Sequence, residues 1–141
     1  MSRLEPQYLF KDKEKHDPSA LSDYDTLDFV SSEQHVYGEI MWPDGEYSAP
    51  RPCVIMLHGF PGSARNDDIA HALCRIGCVV MVPHHRGAWG SEGKYLISHC
   101  IEDARNLAEY ARSEAFCRRY NTDARNIILL GHSMGANTAL G

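Results

Sequence analysis

The apolar residues of this chain are concentrated in three short runs. These are residues 53–57 (CVIML), 78–82 (CVVMV) and 126–130 (NIILL). A strand that is apolar on both of its alternating faces has to be covered on both sides, as in a parallel sheet between layers of helices. The runs therefore predict three buried strands of such a sheet.

Two helical patterns separate these runs. Residues 66–76 begin with Asn66, which is suited to capping a helix, and are followed by Gly77, which is suited to a left-handed end. Residues 96–112 place apolar side chains at i, i+3 and i+4 spacing along one stripe. The alternation of strand and helix predicts an α/β fold, with a mostly parallel sheet flanked by helices in a three-layer sandwich.

The residues before the first apolar run predict an antiparallel edge of the sheet and an N-terminal extension. Residues 26–30 and 35–42 have the pattern of two strands joined by a short link, which indicates an antiparallel edge of the sheet. Residues 1–26 are polar, mixed in charge and contain two prolines. We therefore predict an N-terminal extension over residues 1–26 and a domain over residues 27–141.

Composition excludes several classes of partner. The chain has 14 Lys and Arg against 19 Asp and Glu, a formal net charge of −5. An acidic balance without a basic block argues against nucleic acid and anionic membrane surfaces as partners. The five cysteines form no C-x-x-C pair, which predicts reduced thiols in a cytoplasmic protein. The nearest approach to a metal motif is His84-His85, and because neighbouring residues tend to point apart, we expect no metal site.

A glycine-rich turn follows the third apolar run. Residues 131–135, GHSMG, match the pattern G-x-S-x-G between a buried strand and the start of a helix. In that context the pattern predicts a sharp turn that presents Ser133 as a nucleophile. Its glycines allow the backbone to approach closely, and the helix start favours developing negative charge. The alternative is a strand–helix turn with an incidental serine.

Two further motifs follow the other apolar runs. Residues 58–62 are HGFPG, and residues 86–93 are RGAWGSEG. Arg86 is either a bidentate ligand for a substrate carboxylate or a residue that ties loops together. Trp89 either lines a substrate pocket or packs against its own loop. The side chain of His58 is expected to hold its loop in place.

These three motifs occur in the order expected for one superfamily. The sequence resembles the N-terminal half of α/β-hydrolase fold proteins, in particular the dienelactone hydrolase, serine aminopeptidase and prolyl-oligopeptidase-like groups. The resemblance implies that Ser133 is the nucleophile and that the backbone N–H groups of Phe60 and Met134 bind the oxyanion. It also implies that the protein uses no cofactor. A departure from one common pattern is Ala136, where many members have a further glycine.

The resemblance also implies a triad acid and histidine after the nucleophile, and residues 134–141 contain neither. We therefore expect a fold truncated after the nucleophile elbow, inactive as a 141-residue chain, with an uncovered sheet edge and apolar helix face. Either a missing C-terminal half or a partner chain would complete it. For the parent protein we expect a serine hydrolase of esters, thioesters or small amides. The alternatives are an acyltransferase on the same fold and a non-catalytic interaction protein.

Overall fold

The computed structural model describes residues 3–45, 47, 49–60 and 65–141. The central sheet has five strands: β1 (Asp23–Ser31), β2 (Gln34–Trp42), β3 (Arg51–Leu57), β4 (Val79–Pro83) and β5 (Thr122–Gly131). The α-helices are α1 (Asp67–Arg75), α2 (Ile97–Arg112), α3 (Glu114–Tyr120) and α4 (Met134–Leu140), and one 3-10 turn spans Pro6–Tyr8. None of the helices in the described ranges is long and apolar enough to cross a bilayer.

The strand order across the sheet is β1-β2-β4-β3-β5. β3 pairs in parallel with both β4 and β5, whereas β2 pairs antiparallel with both β1 and β4. The predicted parallel strands and the predicted antiparallel edge are both confirmed, so the sheet as a whole is mixed.

The polar N-terminal segment is in contact with the domain. β1 begins at Asp23, so its first residues come from the segment predicted as an extension. Further upstream, the Arg75 guanidinium at the end of α1 donates to the carbonyl oxygens of Tyr8 and Leu9, each at 3.1 Å. The Glu5 N–H donates to Ile76 O at 2.8 Å. This segment therefore lies against the C-terminal end of α1.

The two faces of the sheet carry two separate cores. Ile55 and Leu57 of β3 pack in a cluster with residues of α2 and α3, whereas Val54 and Met56 pack in a second cluster with residues of α1. Alternate residues of one strand are thus buried against helices on opposite sides, which confirms the predicted three layers.

The last strand is less buried than the other parallel strands. Among the described strands β5 pairs only with β3, and Ile128 is 48% exposed. Leu140 at the end of α4 is 89% exposed. Within the described residues the predicted uncovered sheet edge is confirmed, whereas the uncovered apolar helix face remains a prediction.

The ends of the helices differ in part from the sequence predictions. Gly77 follows α1 with φ +114°, which confirms the predicted left-handed stop. Asn66 precedes α1, but it is itself left-handed and its side chain makes no capping hydrogen bond, so the predicted side-chain cap is wrong. The sequence analysis did not predict α3, whose start is capped by the Ser113 side chain, which accepts a hydrogen bond from the Phe116 N–H.

Candidate active site

The register of the sheet brings three loops to one end of the molecule. Leu57 of β3 pairs with Gly131 of β5, and Ile55 pairs with Met81 of β4, in each case at or near the strand ends. The loops that follow β3, β4 and β5 therefore leave the sheet side by side, where ligands bind in open α/β sheets. A hydrogen bond of 3.2 Å from the His132 N–H to Leu57 O joins the loop after β5 to β3.

Ser133 occupies a strained turn between β5 and α4. Its φ is 56° and its ψ is −124°, a conformation that is costly for a residue with a side chain. The Gly135 N–H donates to His132 O at 2.8 Å, and the Ala136 N–H donates to Ser133 O at 3.0 Å. These bonds close the turn from β5 into α4 and hold Ser133 exposed at the surface. The sharp strand-to-helix turn predicted from GHSMG is present.

Three glycines make this turn sterically feasible. A Cβ at Gly131 would collide with the carbonyl of Gly135, and a Cβ at Gly135 would collide with the carbonyl of Leu57. A Cβ at Gly59 would lie 2.8 Å from the Cβ of Ser133 and 3.4 Å from its Oγ. The backbone after β3 therefore passes directly beside the serine side chain, and the space there depends on Gly59 having none.

Two backbone donors lie next to this serine. Met134 follows Ser133, and Phe60 follows Gly59, the residue that contacts Ser133. Among the described residues, no acceptor forms a hydrogen bond with the N–H of Phe60 or with that of Met134. Pro61 and Gly62 of the same motif lie outside the described residues.

The His58 side chain has both ring nitrogens engaged. The His85 backbone N–H donates to Nε2 at 3.0 Å, which leaves the ring proton on Nδ1, and Nδ1 lies 3.1 Å from Gly59 O. The ring is 3% exposed, and burial lowers its pKa. His58 therefore ties the loop after β3 to the loop after β4, in agreement with the structural role predicted for it.

His85 is enclosed beneath the same loops. It is 0% exposed, and neither ring nitrogen has a hydrogen-bond partner among the described residues. Burial, and secondarily the nearby His58, lowers its pKa to about 3, because a charged imidazole would lose its hydration there. His85 is consequently a neutral ring at ordinary pH, and its ring centroid lies 4.5 Å from that of His58.

Arg86 is held inside the protein rather than presented to a ligand. Its guanidinium pairs with the Glu102 carboxylate, its Nε lies 2.7 Å from Asp103 Oδ1, and Arg86 is 2% exposed. Asp103 also accepts from the Arg86 backbone N–H at 3.0 Å and from Ser31 Oγ at 2.7 Å. Of the two roles left open for Arg86, these contacts favour the one that ties loops together: both of its charge partners come from α2, and they hold the loop after β4.

Aromatic side chains lie on the loops that follow β3 and β4. The Trp89 ring lies 4.2 Å from the His58 ring, measured between centroids, and Trp89 is 36% exposed. The Phe60 ring lies 5.0 Å from that of Tyr95, whose hydroxyl donates to Met134 Sδ at 3.5 Å. The sequence analysis did not identify Tyr95. The available signal was an aromatic residue closing the glycine-rich loop just before α2.

The described residues contain no cluster of three or more His, Cys, Asp or Glu side chains that is able to hold a metal ion. The histidines that follow β3 and β4 are instead engaged with backbone groups or packed against another ring: His58 and His84 lie within hydrogen-bond distance of backbone carbonyls, and His85 packs against His58.

Comparison with known proteins agrees with this arrangement. A sequence model of the family described as "Serine aminopeptidase, S33" matches residues 48–141, which include all three loops. The chain belongs to the S33 serine aminopeptidase family. None of the curated proteins compared with this chain matches it.

Solved structures of α/β hydrolases share the fold of this S33 family chain. Esterase Est22, solved with p-nitrophenol, has a TM-score of 0.71 at 21% identity over 92% of this chain and 40% of its own. The α/β hydrolase GrgF from Penicillium sp. sh18 has a TM-score of 0.69 at 21% identity, covering 84% of this chain and 40% of its own. Est1E from Butyrivibrio proteoclasticus, solved with ferulic acid, has a TM-score of 0.67 at 19% identity, covering 79% and 44%. The chain therefore spans less than half the length of these relatives.

Proposed function

We propose that the protein is a serine hydrolase that cleaves a carboxylic ester, a thioester or a small amide through an acyl-enzyme on Ser133. The observation that carries this proposal is the strained turn at Ser133, with the unoccupied N–H groups of Phe60 and Met134 beside it. Strain of this kind is stored at functional sites, and paired backbone donors are the usual way to bind a developing oxyanion.

The proposed chemistry runs in two steps. Ser133 Oγ attacks the carbonyl carbon while a base takes its proton, and the oxyanion accepts hydrogen bonds from the two backbone N–H groups. The tetrahedral intermediate then expels the alcohol, thiol or amine, which leaves with a proton from the same group. Water hydrolyses the resulting acyl-enzyme, which releases the acid and restores the serine hydroxyl.

We assign the base and its acidic partner to residues outside the 141 of this chain. His58 has both ring nitrogens engaged, and His85 is buried with its pKa lowered to about 3. Neither ring suits proton transfer near neutral pH, because an effective base has a pKa close to the working pH. The share of relatives spanned, about two-fifths, is compatible with this assignment.

The ester is the preferred substrate class within this proposal. Two relatives are described as esterases, and one of them was solved with p-nitrophenol. We also propose a reducing compartment such as the cytoplasm, since all five cysteines are free and at least four are buried.

The test is covalent labelling of the whole protein with a fluorophosphonate, followed by mapping of the labelled peptide. Wild type and Ser98→Ala, a change at an exposed serine of α2, should be labelled at Ser133. Ser133→Ala should lose the label. An unlabelled wild type would overturn the proposal in favour of a non-catalytic protein, and equal labelling of Ser133→Ala would show that Ser133 is not the nucleophile. Transfer of the acyl group to an added alcohol or thiol in preference to water would instead identify an acyltransferase.

A further inference from the structure

Large aromatic surfaces are left in contact with water on the loops of the candidate active site. Phe60 is 59% exposed and Trp89 is 36% exposed, although both belong to loops that adjoin Ser133. Exposed apolar surface of this kind marks a binding site when it lies beside reactive groups.

Packing contacts hold the rings of Trp89 and Tyr95 in place. Trp89 packs on the ring of His58, which is fixed by two hydrogen bonds, and meets the edge of the His84 ring at 5.2 Å between centroids. Tyr95 is anchored between the Phe60 ring and the Met134 sulfur. A surface built in advance loses little conformational entropy when a ligand binds, so it favours a rigid, flat partner.

Arg86, in the loop after β4, provides no free positive charge at the site. Arg86 is buried and paired with Asp103 and Glu102, so it is not available to draw a carboxylate towards Ser133. The exposed side chains of these loops include the rings of Phe60 and Trp89, and aromatic rings prefer to pack with another ring at centroid separations of about 4.5–7 Å.

Resting on the function proposed above, we propose that the ester cleaved at Ser133 carries an uncharged aromatic ring that packs against Phe60, Tyr95 and Trp89. The ring belongs either to the acid or to the alcohol part of the ester. Both arrangements place it on the same aromatic surface, and the two arms of the experiment separate them.

The experiment compares esters that differ only in aromaticity. Methyl phenylacetate is paired with methyl cyclohexylacetate for the acid side, and benzyl acetate with cyclohexylmethyl acetate for the alcohol side. Values of kcat/KM are measured on the whole protein and divided by each ester's rate of hydrolysis in alkali. We expect one pair to show an aromatic preference of about three- to tenfold, the size of an aromatic pair interaction.

Matched variants test which side chains cause the preference for the aromatic ester. Trp89→Leu and Tyr95→Leu should bring the ratio close to one, whereas Tyr95→Phe, which keeps the ring, should preserve it. Phe10→Leu removes an aromatic ring that is 93% exposed in the N-terminal segment and should leave the ratio unchanged. Ratios of one or less for both pairs, or an unchanged preference in both leucine variants, would overturn the inference.

Binding to Ser133→Ala separates this inference from the proposed function. Calorimetric titration of that variant should show the preferred aromatic ester binding more tightly than its cyclohexyl partner. If wild type hydrolyses none of the esters while this difference in affinity persists, the proposed function fails and the aromatic site stands. If wild type hydrolyses both members of each pair equally well, the aromatic site fails and the hydrolase stands.

Discussion

β3 and β5 are parallel neighbours with similar apolar sequences, yet they are buried to very different extents. All seven residues of β3 are buried, and Ile55 is 0% exposed. In β5 only Thr122 is buried, and Ile128 is 48% exposed. β3 has a strand on each side, whereas β5 has a described strand on one side only. An apolar run therefore indicates a strand, while its burial depends on the neighbours it acquires.

Burial also differs between residues of the candidate active site. His58 and His85, which follow β3 and β4, are enclosed, whereas Ser133, which follows β5, is exposed. The position of the serine is therefore set mainly by contacts with β3 and its loop. Among these are the hydrogen bond from His132 to Leu57 and the close approach of Gly59 to Ser133.

The largest expected effect on stability and labelling comes from a substitution that would push α4 away from β3. In Gly135→Ala the new methyl group would collide with the Leu57 carbonyl. We expect the free energy of unfolding to fall by about 3 kcal/mol and fluorophosphonate labelling of the whole protein to slow by about a hundredfold. Urea unfolding and labelling kinetics measure both quantities.

Gly90→Ala is the control for this change. Gly90 has no atom within 4 Å of its Cβ position, but its φ is +93°. That variant should lose only about 1 kcal/mol from backbone strain. Equal losses of stability in the two variants would mean that the contact between α4 and β3 does not fix the turn.

A matched pair of truncations tests the difference in burial directly. Ile55→Ala should lower the free energy of unfolding by about 3 kcal/mol, because it opens a cavity in a closed core. Ile128→Ala on β5 should cost less than about 1 kcal/mol in the 141-residue chain, since half of that side chain already contacts water. Urea unfolding of both variants gives the difference. Similar costs would show that another segment or a second copy of the chain covers β5.

The strands and the serine turn could be predicted because their signals are local. Three apolar runs, each followed within two residues by a glycine, a proline or a histidine, define β3, β4 and β5, and G-x-S-x-G requires only short-range glycine conformations. By contrast, α3 has seven residues and the hydrophobic stripe of α2 ends before it. Its signal was the Ser113 cap followed by Phe116 and Tyr120 at i, i+4 spacing, which is easily mistaken for a loop.

The roles of the loop residues depended on contacts that are distant in sequence. Arg86 is paired with Asp103, 17 residues away, and Asp103 in turn accepts a hydrogen bond from Ser31, which lies 72 residues from Asp103. No local spacing indicates such a network, so two uses of Arg86 remained open until the fold was known. Tyr95 contacts Met134 across 39 residues and was missed for the same reason.

A last expected effect is a dependence of stability on pH that arises from the enclosed side of the site. Burial lowers the pKa of His85 from its ordinary value of 6.5 to about 3, and burial also lowers the pKa of His58. Below pH 6.5 the unfolded chain binds a proton that folded His85 does not. The stability is therefore fully present above that pH and is lost as the pH falls towards 3.

We expect His85 to contribute about 1.4 kcal/mol per pH unit to this loss between pH 6 and pH 4, measured by urea unfolding at each pH. His85→Leu should reduce the slope by that amount.

His35→Gln is the control, because the hydrogen bond to Asp28 raises the pKa of His35. Its contribution is present below the ordinary pKa and disappears as the pH rises through the raised one, so its removal should leave the acid slope unchanged. An unaltered slope in His85→Leu would mean that water reaches His85 in solution, and the difference in burial between the two regions would then not extend to the site.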